Sequence, residues 1–287
     1  MNSIEKMENL PESKQQGILT VLPIPLKITV QEGSFLHIGG SPSPLTEKKA
    51  SVFSVDGKPA IPASSFKGAF RYQVEQLLIA KKDELKSKLG IIDDELIKPC
   101  IPSTSPTRAE KTLIGQYRRQ LRPKRRKDIL FEGCWIEVEV EQIGIPQKGL
   151  CPVCYLFGAT GLMGFLRIPN FWPEVGEYRI DQTNIRIDRE SGTTAKGAKV
   201  DGEQVKSGTV FKATLEIIAQ QRTFHFGGAR VIGGTKVDLW LDGIASKPME
   251  AQLLLINEIL IPALNNITVL GGQKSKGAGK VMLEIDK

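Results

Sequence analysis

The order of strand-like and helix-like segments constrains this chain more than any other feature of its sequence. Two segments carry apolar residues at helical spacing, one from about 65 to 89, ended by Gly90, and one over 249–264. Three segments rich in apolar and β-branched residues have the pattern of strands: 18–30, 208–218 and 281–285. This order predicts an α+β fold in which helices pack on an antiparallel sheet, of the ferredoxin-like kind.

Length and composition indicate one folded domain behind a short tail. The chain has 287 residues, of which 40% are hydrophobic and 25% are charged, as in ordinary globular proteins. Its first 16 residues are polar, so we predict a disordered tail over 1–16 and a single domain over 17–287. Short β patterning around a Gly/Thr-rich turn predicts a protruding hairpin over about 179–206.

The sequence argues against a membrane protein, a secreted protein and a histidine-dependent hydrolase. No stretch approaches the roughly 20 apolar residues that cross a bilayer, and the N-terminus lacks the apolar core of a secretory signal. We therefore expect a cytoplasmic protein with no membrane partner. Only two histidines occur, His37 and His225, in unrelated contexts, which disfavours a nucleophile activated by histidine.

Positive charge is concentrated in one insertion, at about 90–150. The window from Lys98 to Lys127 holds ten Lys and Arg residues against Glu110 alone, a net charge of +9 in a chain whose total is +7. Such a block predicts contact with a polyanion. A solvated loop without a partner is the alternative, and an anionic lipid surface is disfavoured because the block lacks an aromatic and leucine-rich face.

The cysteines suggest a metal site that takes two of its ligands from the same insertion. Cys151 and Cys154 have the Cys-x-x-Cys spacing of half a zinc site, with Cys100 and Cys134 as the remaining ligands. Without a secretory signal, disulfides are not expected. The competing interpretation makes Cys134 an ordinary core residue, because it is in phase with Ile136, Val138 and Val140 of the strand predicted over 131–142.

Two further segments have the chemistry of phosphate contacts. Ser64 and Ser65 precede a predicted helix and can cap its N-terminus, where backbone N–H groups attract anions. The loop GGQKSKGAGK at 271–280 is rich in glycine and lysine, but it is no nucleotide-binding P-loop, because Val281 stands where Ser or Thr is required. It suits the phosphates of an extended strand, and a flexible turn is the alternative.

These segments together resemble the RAMP superfamily of CRISPR proteins, specifically the backbone subunits of type III (Csm/Cmr-type) effector complexes. The resemblance spans roughly residues 18–286, and its specificity comes from five motifs in the family's order. The motifs are LHIGGS (36–41), IPASSFKGAFR (61–71), CPVCYLFGATGLMG (151–164), IRIDRESGTTAKG (185–197) continued by EQVKSGTVF (203–211), and GGQKSKGAGKV (271–281).

The resemblance implies an RRM-like subunit that polymerises along a guide RNA (crRNA), recognises complementary single-stranded target RNA and contacts other effector subunits. The positions implied to bind RNA are His37, Gly39, Gly40, Ser64, Ser65, Lys67, Arg71, Gly271, Gly272, Lys274, Ser275 and Lys276. The hairpin at 179–206 resembles the family's thumb, which inserts between bases, and it contributes Arg186 and Arg189.

The resemblance also implies a catalytic aspartate that this sequence does not supply. Family members that cut target RNA carry it in the loop between the first two motifs. Here that loop, 41–55, has Glu47 as its only acid, and Asp56 belongs to the turn that follows. We therefore expect weak or no nuclease activity. The alternatives are an active endoribonuclease that uses Glu47 with a divalent metal such as Mg²⁺, and a stand-alone basic RNA-binding protein with a structural zinc.

Overall fold

The fold is described from a computed structural model that covers most of the chain. The described residues are 4–39, 51–100, 116–117, 133–138, 143–176, 178–244 and 247–286. Within them the strands, numbered in chain order, are β1 (Lys14–Gln16), β2 (Leu19–Val30), β3 (Ser54–Val55), β4 (Lys58–Pro59), β5 (Glu137–Val138), β6 (Ile143–Gly144), β7 (Leu166–Arg167), β8 (Trp172–Pro173), β9 (Arg179–Ile187), β10 (Thr194–Val205), β11 (Val210–Gln221), β12 (Phe224–His225), β13 (Val231–Ile232), β14 (Thr235–Lys236) and β15 (Val281–Ile285).

The described helices occur in three parts of the chain. They are α1 (Ala63–Ala80), α2 (Lys82–Leu89), α3 (Asp94–Ile97), α4 (Pro152–Phe157), α5 (Pro248–Leu255) and α6 (Ile261–Asn265). A π-helical turn, Ile256–Leu260, joins α5 to α6, so that the three pieces form one C-terminal helix where the sequence predicts a helix over 249–264.

The sheet is built around the two long strands, β2 and β11, which pair antiparallel along their length. On its other side, β2 pairs with β1 at one end and with β15 at the other. The far side of β11 pairs with three two-residue strands, β7, β8 and β12. All of these pairings are antiparallel, so the predicted α+β fold with an antiparallel sheet is confirmed.

Two prolines lie inside a central strand without costing it a ladder hydrogen bond. Pro23 and Pro25 sit opposite Glu216 and Thr214 of β11. Along the other edge of β2, the pairing with β1 covers residues up to Val21, and the pairing with β15 covers residues from Leu26 onward. The prolines therefore face the gap between these two strands. A proline has no N–H to donate, and this gap demands none.

One face of the sheet carries the core. Alternate residues of β2, from Leu22 to Val30, are buried on this face, as a period of two requires. Helix α1 supplies Phe66, Phe70 and Val74 to the same core, and the ring of Phe66 lies 4.6 Å from that of Phe171. Helix α1 also contacts the C-terminal helix. The residues of α1 on the opposite side lie outside this core.

The helix predicted from about 65 to 89 is two helices in the structure. Lys81, with φ −111°, separates α1 from α2, and Gly90 ends α2 in the left-handed conformation at φ 64°. The predicted end at Gly90 is thus confirmed. The break redirects the chain so that Leu85 and Leu89 are buried, and Lys82 of α2 then pairs with Asp94 of α3.

Residues 4–16 differ from the disordered tail that the sequence predicts. Ile4 is buried, and β1 pairs with the start of β2. The polar composition of this segment gave no sign that it would be ordered, because hydrogen bonds to the C-terminal helix hold it rather than a long apolar run. In the part of the chain that the structure describes, no helix is long and apolar enough to span a membrane.

Candidate functional site

Three motifs that are far apart in the sequence meet around one open groove of about 690 Å³. The segment at Ile38 and Gly39 forms one part of its lining, the first turns of α1 form the second, and the glycine loop after the C-terminal helix forms the third. The full lining is Ile38, Gly39, Ser64, Ser65, Gly68, Ala69, Tyr72, Gln73, Asn266, Ile267, Thr268, Val269, Leu270, Gly271, Gly272 and Lys274.

The glycine loop is held against the His37 segment by backbone contacts. The N–H of Gly272 donates to the carbonyl of His37 at 2.7 Å, and the N–H of Gly279 donates to the carbonyl of Phe35 at 2.7 Å. Gly271 has φ +79°, and a Cβ there would lie 2.4 Å from the His37 carbonyl oxygen. Glycine is therefore required at 271 for both backbone conformation and space.

Helix α1 presents its least bulky face to the groove. Ser64, Gly68 and Tyr72 follow one another at i, i+4 and i+8, so they lie in one row along the helix. Nothing lies within 4 Å of a Cβ built at Gly68, which keeps the middle of this row open. The N–H of Ala63 is capped by Oδ1 of Asn170 at 2.8 Å, which fixes the start of the helix beside the groove.

The structure brings six of the predicted RNA-binding residues to this groove and directs others elsewhere. Those that line it are Gly39, Ser64, Ser65, Gly271, Gly272 and Lys274. Lys67, Ser275 and Lys276 are exposed but outside the lining. The His37 ring turns to the Glu203 carbonyl, with Nδ1 at 3.0 Å, while the His37 carbonyl accepts from the Gly272 N–H beside the groove. Gly40 and Glu47 lie outside the described residues.

Sequence reasoning missed ten of the lining residues, among them Tyr72, Gln73 and Asn266. Tyr72 is 55% exposed, so its ring is available to a ligand. An aromatic ring beside phosphate-binding groups is the arrangement that single-stranded nucleic acid uses for base stacking. The signal was present in the sequence, because Tyr72 continues the inclined i, i+4, i+8 row that begins at Ser64.

The predicted hairpin is present as the antiparallel pair β9 and β10. Its base joins the groove region, because Leu36 and Val205 exchange backbone hydrogen bonds of 2.9 and 2.8 Å. Arg189 is exposed in the turn at its tip. Arg186 lies in β9, and its side chain is outside the described part of the structure. The hairpin thus projects from the segment that precedes the groove.

The four cysteines converge, although they come from three separate segments. Their sulfur atoms all lie within 4.8 Å of one another. Cys100 Sγ is 3.3 Å from Cys154 Sγ and 3.6 Å from Cys151 Sγ, and all four side chains are buried. These distances are too long for a disulfide. They are close to the edge of about 3.8 Å that four sulfurs form around a tetrahedral zinc with bonds of about 2.3 Å.

The surroundings of the sulfur atoms suit thiolate ligands. Three backbone N–H groups, those of Cys134, Cys151 and Cys154, point at sulfur atoms of the cluster at 3.3–3.4 Å. Hydrogen bonding to Cys134 and its other sulfur neighbours, together with burial, raises the pKa of Cys100 well above its usual value. A bound cation offsets that penalty, because the thiolate is the form that ligates metals. The residues therefore fit a tetrahedral sulfur-ligated metal such as zinc.

Arg71 belongs to this cysteine cluster and does not line the groove. One of its terminal nitrogens lies 3.7 Å from Cys154 Sγ and 4.0 Å from Cys100 Sγ, and its Nε donates to Glu75 at 2.9 Å. The side chain is only 16% exposed. Burial lowers the pKa of Arg71, but the negative charges of Cys154, Cys100, Cys151 and Glu75 raise it overall. The guanidinium thus lies beside the sulfur atoms of the cluster.

Most of the basic block lies outside the described residues. Lys98 at its start is described, and it pairs with Glu95 at 2.6 Å. The other basic residues of the block are Arg108, Lys111, Arg118, Arg119, Arg122, Lys124, Arg125, Arg126 and Lys127, all outside the described part. Its predicted contact with a polyanion therefore stays a prediction.

The fold and the groove define a class: ferredoxin-like α+β proteins in which a glycine loop and the first turns of a helix line an open groove, with a hairpin projecting from the segment that precedes it. In a comparison with family models, the RAMP superfamily model matches residues 33–282 of this chain. The chain belongs to the RAMP superfamily. Membership implies a CRISPR-associated role in RNA binding or processing. A search of curated proteins returns no match.

Proposed function

We propose that this protein is a guide-RNA-binding backbone subunit of a type III CRISPR effector complex. The observation that carries the proposal is the meeting of Gly39, Ser64 and the loop from Gly271 to Lys274 on one open groove. These groups offer hydroxyls, a lysine and closely approachable backbone, which are the contacts that hold a phosphate chain without reading its sequence. A subunit that repeats along a guide requires this kind of contact.

The same geometry assigns separate tasks along the RNA. Lys274 and the serines at the start of α1 would neutralise and hydrogen-bond phosphates, while Tyr72 would stack on a base or ribose. The hairpin β9–β10 would act as the thumb that separates bases where complementary target RNA pairs with the guide. Other effector subunits would continue the assembly on either side of this one.

We further propose that the cysteine cluster holds one structural zinc. Cys100, Cys134, Cys151 and Cys154 would be its ligands, and a closed four-sulfur shell leaves no position for a substrate. The zinc would supply folding free energy rather than chemistry. It would hold the insertion against α1, whose first turns line the groove.

The proposed subunit has weak or no nuclease activity of its own. Asp56 is the acid nearest to the family's catalytic position that the structure describes, and it occupies the turn between β3 and β4 with φ 48°. Cleavage would therefore need Glu47 and a divalent metal such as Mg²⁺. An active endoribonuclease is the second candidate function, favoured by the resemblance alone.

The test is to express the chain with its genomic neighbours and a guide array, and to sequence any RNA that stays bound at high salt. We expect discrete guide RNAs in a multi-subunit particle. Adding complementary RNA then separates binding from cutting: a cut that disappears with Glu47→Ala would establish the endoribonuclease. An RNA-free monomer would overturn the proposal and leave a stand-alone RNA-binding protein with zinc as the explanation.

A variant pair tests the groove itself. Lys274→Ala removes a groove cation, whereas Lys247→Ala removes a surface cation on the C-terminal helix that pairs with Glu250. For the isolated chain with single-stranded RNA, we expect Lys274→Ala to reduce the slope of log affinity against log salt by about 0.7, the value of one phosphate contact. Lys247→Ala should leave the slope unchanged, and equal slopes for both variants would contradict the groove assignment.

A further inference from the structure

The hairpin β9–β10 is fixed to the rest of the protein at its base. It forms a two-stranded sheet of its own, separate from the sheet around β2 and β11. Strand β9 runs for nine residues, Arg179–Ile187, which is about 27 Å in an extended chain. A rotation of about 10° at the base therefore moves the far end by about 5 Å. The contacts at the base thus decide where the tip of the hairpin lies.

Arg179, the first residue of β9, contacts the β3–β4 hairpin. One of its terminal nitrogens donates to Oγ of Ser54 at 2.6 Å and to the carbonyl of Gly57 at 3.0 Å. Its other terminal nitrogen lies 3.7 Å from the carboxylate of Glu203 in β10. One guanidinium therefore joins both strands of the hairpin β9–β10 to the turn between β3 and β4.

Glu203 extends this connection to two further residues. It lies diagonally across the ladder from Arg179, because Val205 is the direct partner of Arg179. The Glu203 carboxylate accepts from the N–H of Val52 at 3.4 Å, and the Glu203 carbonyl accepts from Nδ1 of His37 at 3.0 Å. We call the following set of residues the hairpin junction: Arg179, Glu203, His37, Val52, Ser54 and Gly57.

The hairpin junction is connected to the wall of the groove. His37, whose ring contacts Glu203, accepts from the N–H of Gly272 through its carbonyl at 2.7 Å. Gln204 follows Glu203 in β10 and therefore points to the opposite face of the strand. It is buried, and its Nε2 lies 3.5 Å from Oε1 of Gln273 in the glycine loop. The base of the hairpin is thus held on one face by the junction and on the other by the loop.

The chemistry of Arg179 suits it to set a direction rather than to add stability. Its side chain is 36% exposed, and ion pairs at such exposure contribute little to folding. A guanidinium is a planar fork whose N–H groups have fixed directions. Three partners on separate strands and turns therefore satisfy the fork in one orientation of the hairpin. The ammonium of a lysine is a point charge and lacks this geometry.

We propose that Arg179 is the positioning residue of the hairpin β9–β10: through the hairpin junction, it fixes the direction in which the tip projects relative to the groove. A hairpin that enters between bases must reach its place within about one base step, roughly 3.4 Å. The displacement of about 5 Å that follows from a small rotation at the base exceeds this step. The part of the inference that concerns RNA rests on the proposed function, in which the hairpin acts as the thumb.

The test compares Arg179→Gln with Arg167→Gln in the full chain without RNA. Arg167 is the matched control, because it is a strand arginine of similar exposure that pairs with Glu216. Spin-labelled unnatural residues at Glu190 in the tip and at Met249 on α5, both exposed, leave the cysteines untouched. Pulsed electron paramagnetic resonance then measures the distance between them. We expect one narrow distribution for the wild type and Arg167→Gln, and a distribution broadened or displaced by about 5 Å for Arg179→Gln.

Two further variants keep the outcome tied to the geometry of the junction. Arg179→Lys retains the charge without the fork, so it should broaden the distribution as Arg179→Gln does. If Arg179→Gln impairs folding, Ser54→Ala removes one partner of the guanidinium and should broaden the distribution to a smaller extent. Equal distributions for Arg179→Gln and Arg167→Gln, or for Ser54→Ala and the wild type, overturn the proposal.

RNA binding separates this inference from the proposed function. In the guide-loaded complex, Arg179→Gln should retain the guide and bind complementary target RNA about tenfold more weakly, because apparent affinity falls with the fraction of hairpins in the competent orientation. A broadened distribution with unchanged target affinity would uphold the role of Arg179 and contradict the assignment of the thumb. Weaker target binding with an unchanged distribution would make Arg179 a direct RNA contact and overturn the inference.

Discussion

Helix α1 separates two regions that use opposite designs. On one side is the groove, which is open and lined by glycines and polar side chains together with apolar residues such as Ile38 and Leu270. On the other side is the cysteine cluster, closed, with four buried sulfur atoms and the guanidinium of Arg71 beside them. One helix thus borders both an accessible surface, which a reversibly bound ligand needs, and a cluster closed to water, which a permanently bound one needs.

The two regions should therefore fail differently. Damage to the cluster should release segments that lie far apart in the sequence, because its ligands come from residues 100, 134 and 151–154. Damage to the groove should reduce affinity for RNA while the core stays intact. Four changes test this division.

Removing the metal should have the largest effect. A structural zinc supplies on the order of 10 kcal/mol of folding free energy, so chelation, or Cys154→Ser, should abolish cooperative unfolding or lower the melting temperature sharply. Metal analysis should find one zinc in each wild-type chain and little in the variant. Unchanged melting after complete removal of the metal would show that the cluster is merely a set of packed thiols.

Gly271→Ala should come next, because it strains the wall of the groove. Its φ of +79° and the approach of a Cβ to within 2.4 Å of the His37 carbonyl oxygen both oppose a side chain. We expect a loss of about 2 kcal/mol in the free energy of unfolding from chemical denaturation. Gly272→Ala is the matched control, since its Cβ would meet nothing nearer than 3.7 Å. Equal losses would contradict this account.

Arg71→Gln decides to which region this residue belongs. Because Arg71 contacts Cys154 and Cys100, we expect the Arg71→Gln variant to bind the metal 10- to 100-fold more weakly in chelator competition. RNA affinity of the metal-loaded chain should be unchanged. The double variant with Glu75→Gln controls for the carboxylate that loses its Arg71 partner. Lower RNA affinity with normal metal affinity would instead make Arg71 an RNA contact, as the resemblance implies.

Gly68→Leu should affect the groove alone. A leucine there extends into open space, and it favours the helix by nearly 1 kcal/mol over glycine. We expect equal or higher thermal stability. We also expect about tenfold weaker binding of single-stranded RNA, because the loss of one base-stacking contact lowers affinity by about that factor. Gly68→Ala should gain stability and retain binding. Full binding by the leucine variant would remove the groove from the proposed function.

The sequence determined the elements and motifs because their signals are local. The content of apolar and β-branched residues over 18–30 and 281–285 predicts β2 and β15, and Gly90 ends a helix because glycine adopts the left-handed conformation without strain. The five motifs likewise needed no structure to be found. The sequence also allowed the cysteines to be grouped as ligands, since metal sites have characteristic spacings.

Only the tertiary structure decided which side of α1 each functional residue serves. Ser64 and Arg71 lie in one motif, yet Ser64 lines the groove and Arg71 contacts the cysteines, because rotation along the helix separates them. The meeting of Cys100 with Cys154 and the binding of Ile4 by Asn265 are equally long-range. Such contacts depend on how the core packs, and no local pattern encodes the distance between residues that the chain brings together only when it folds.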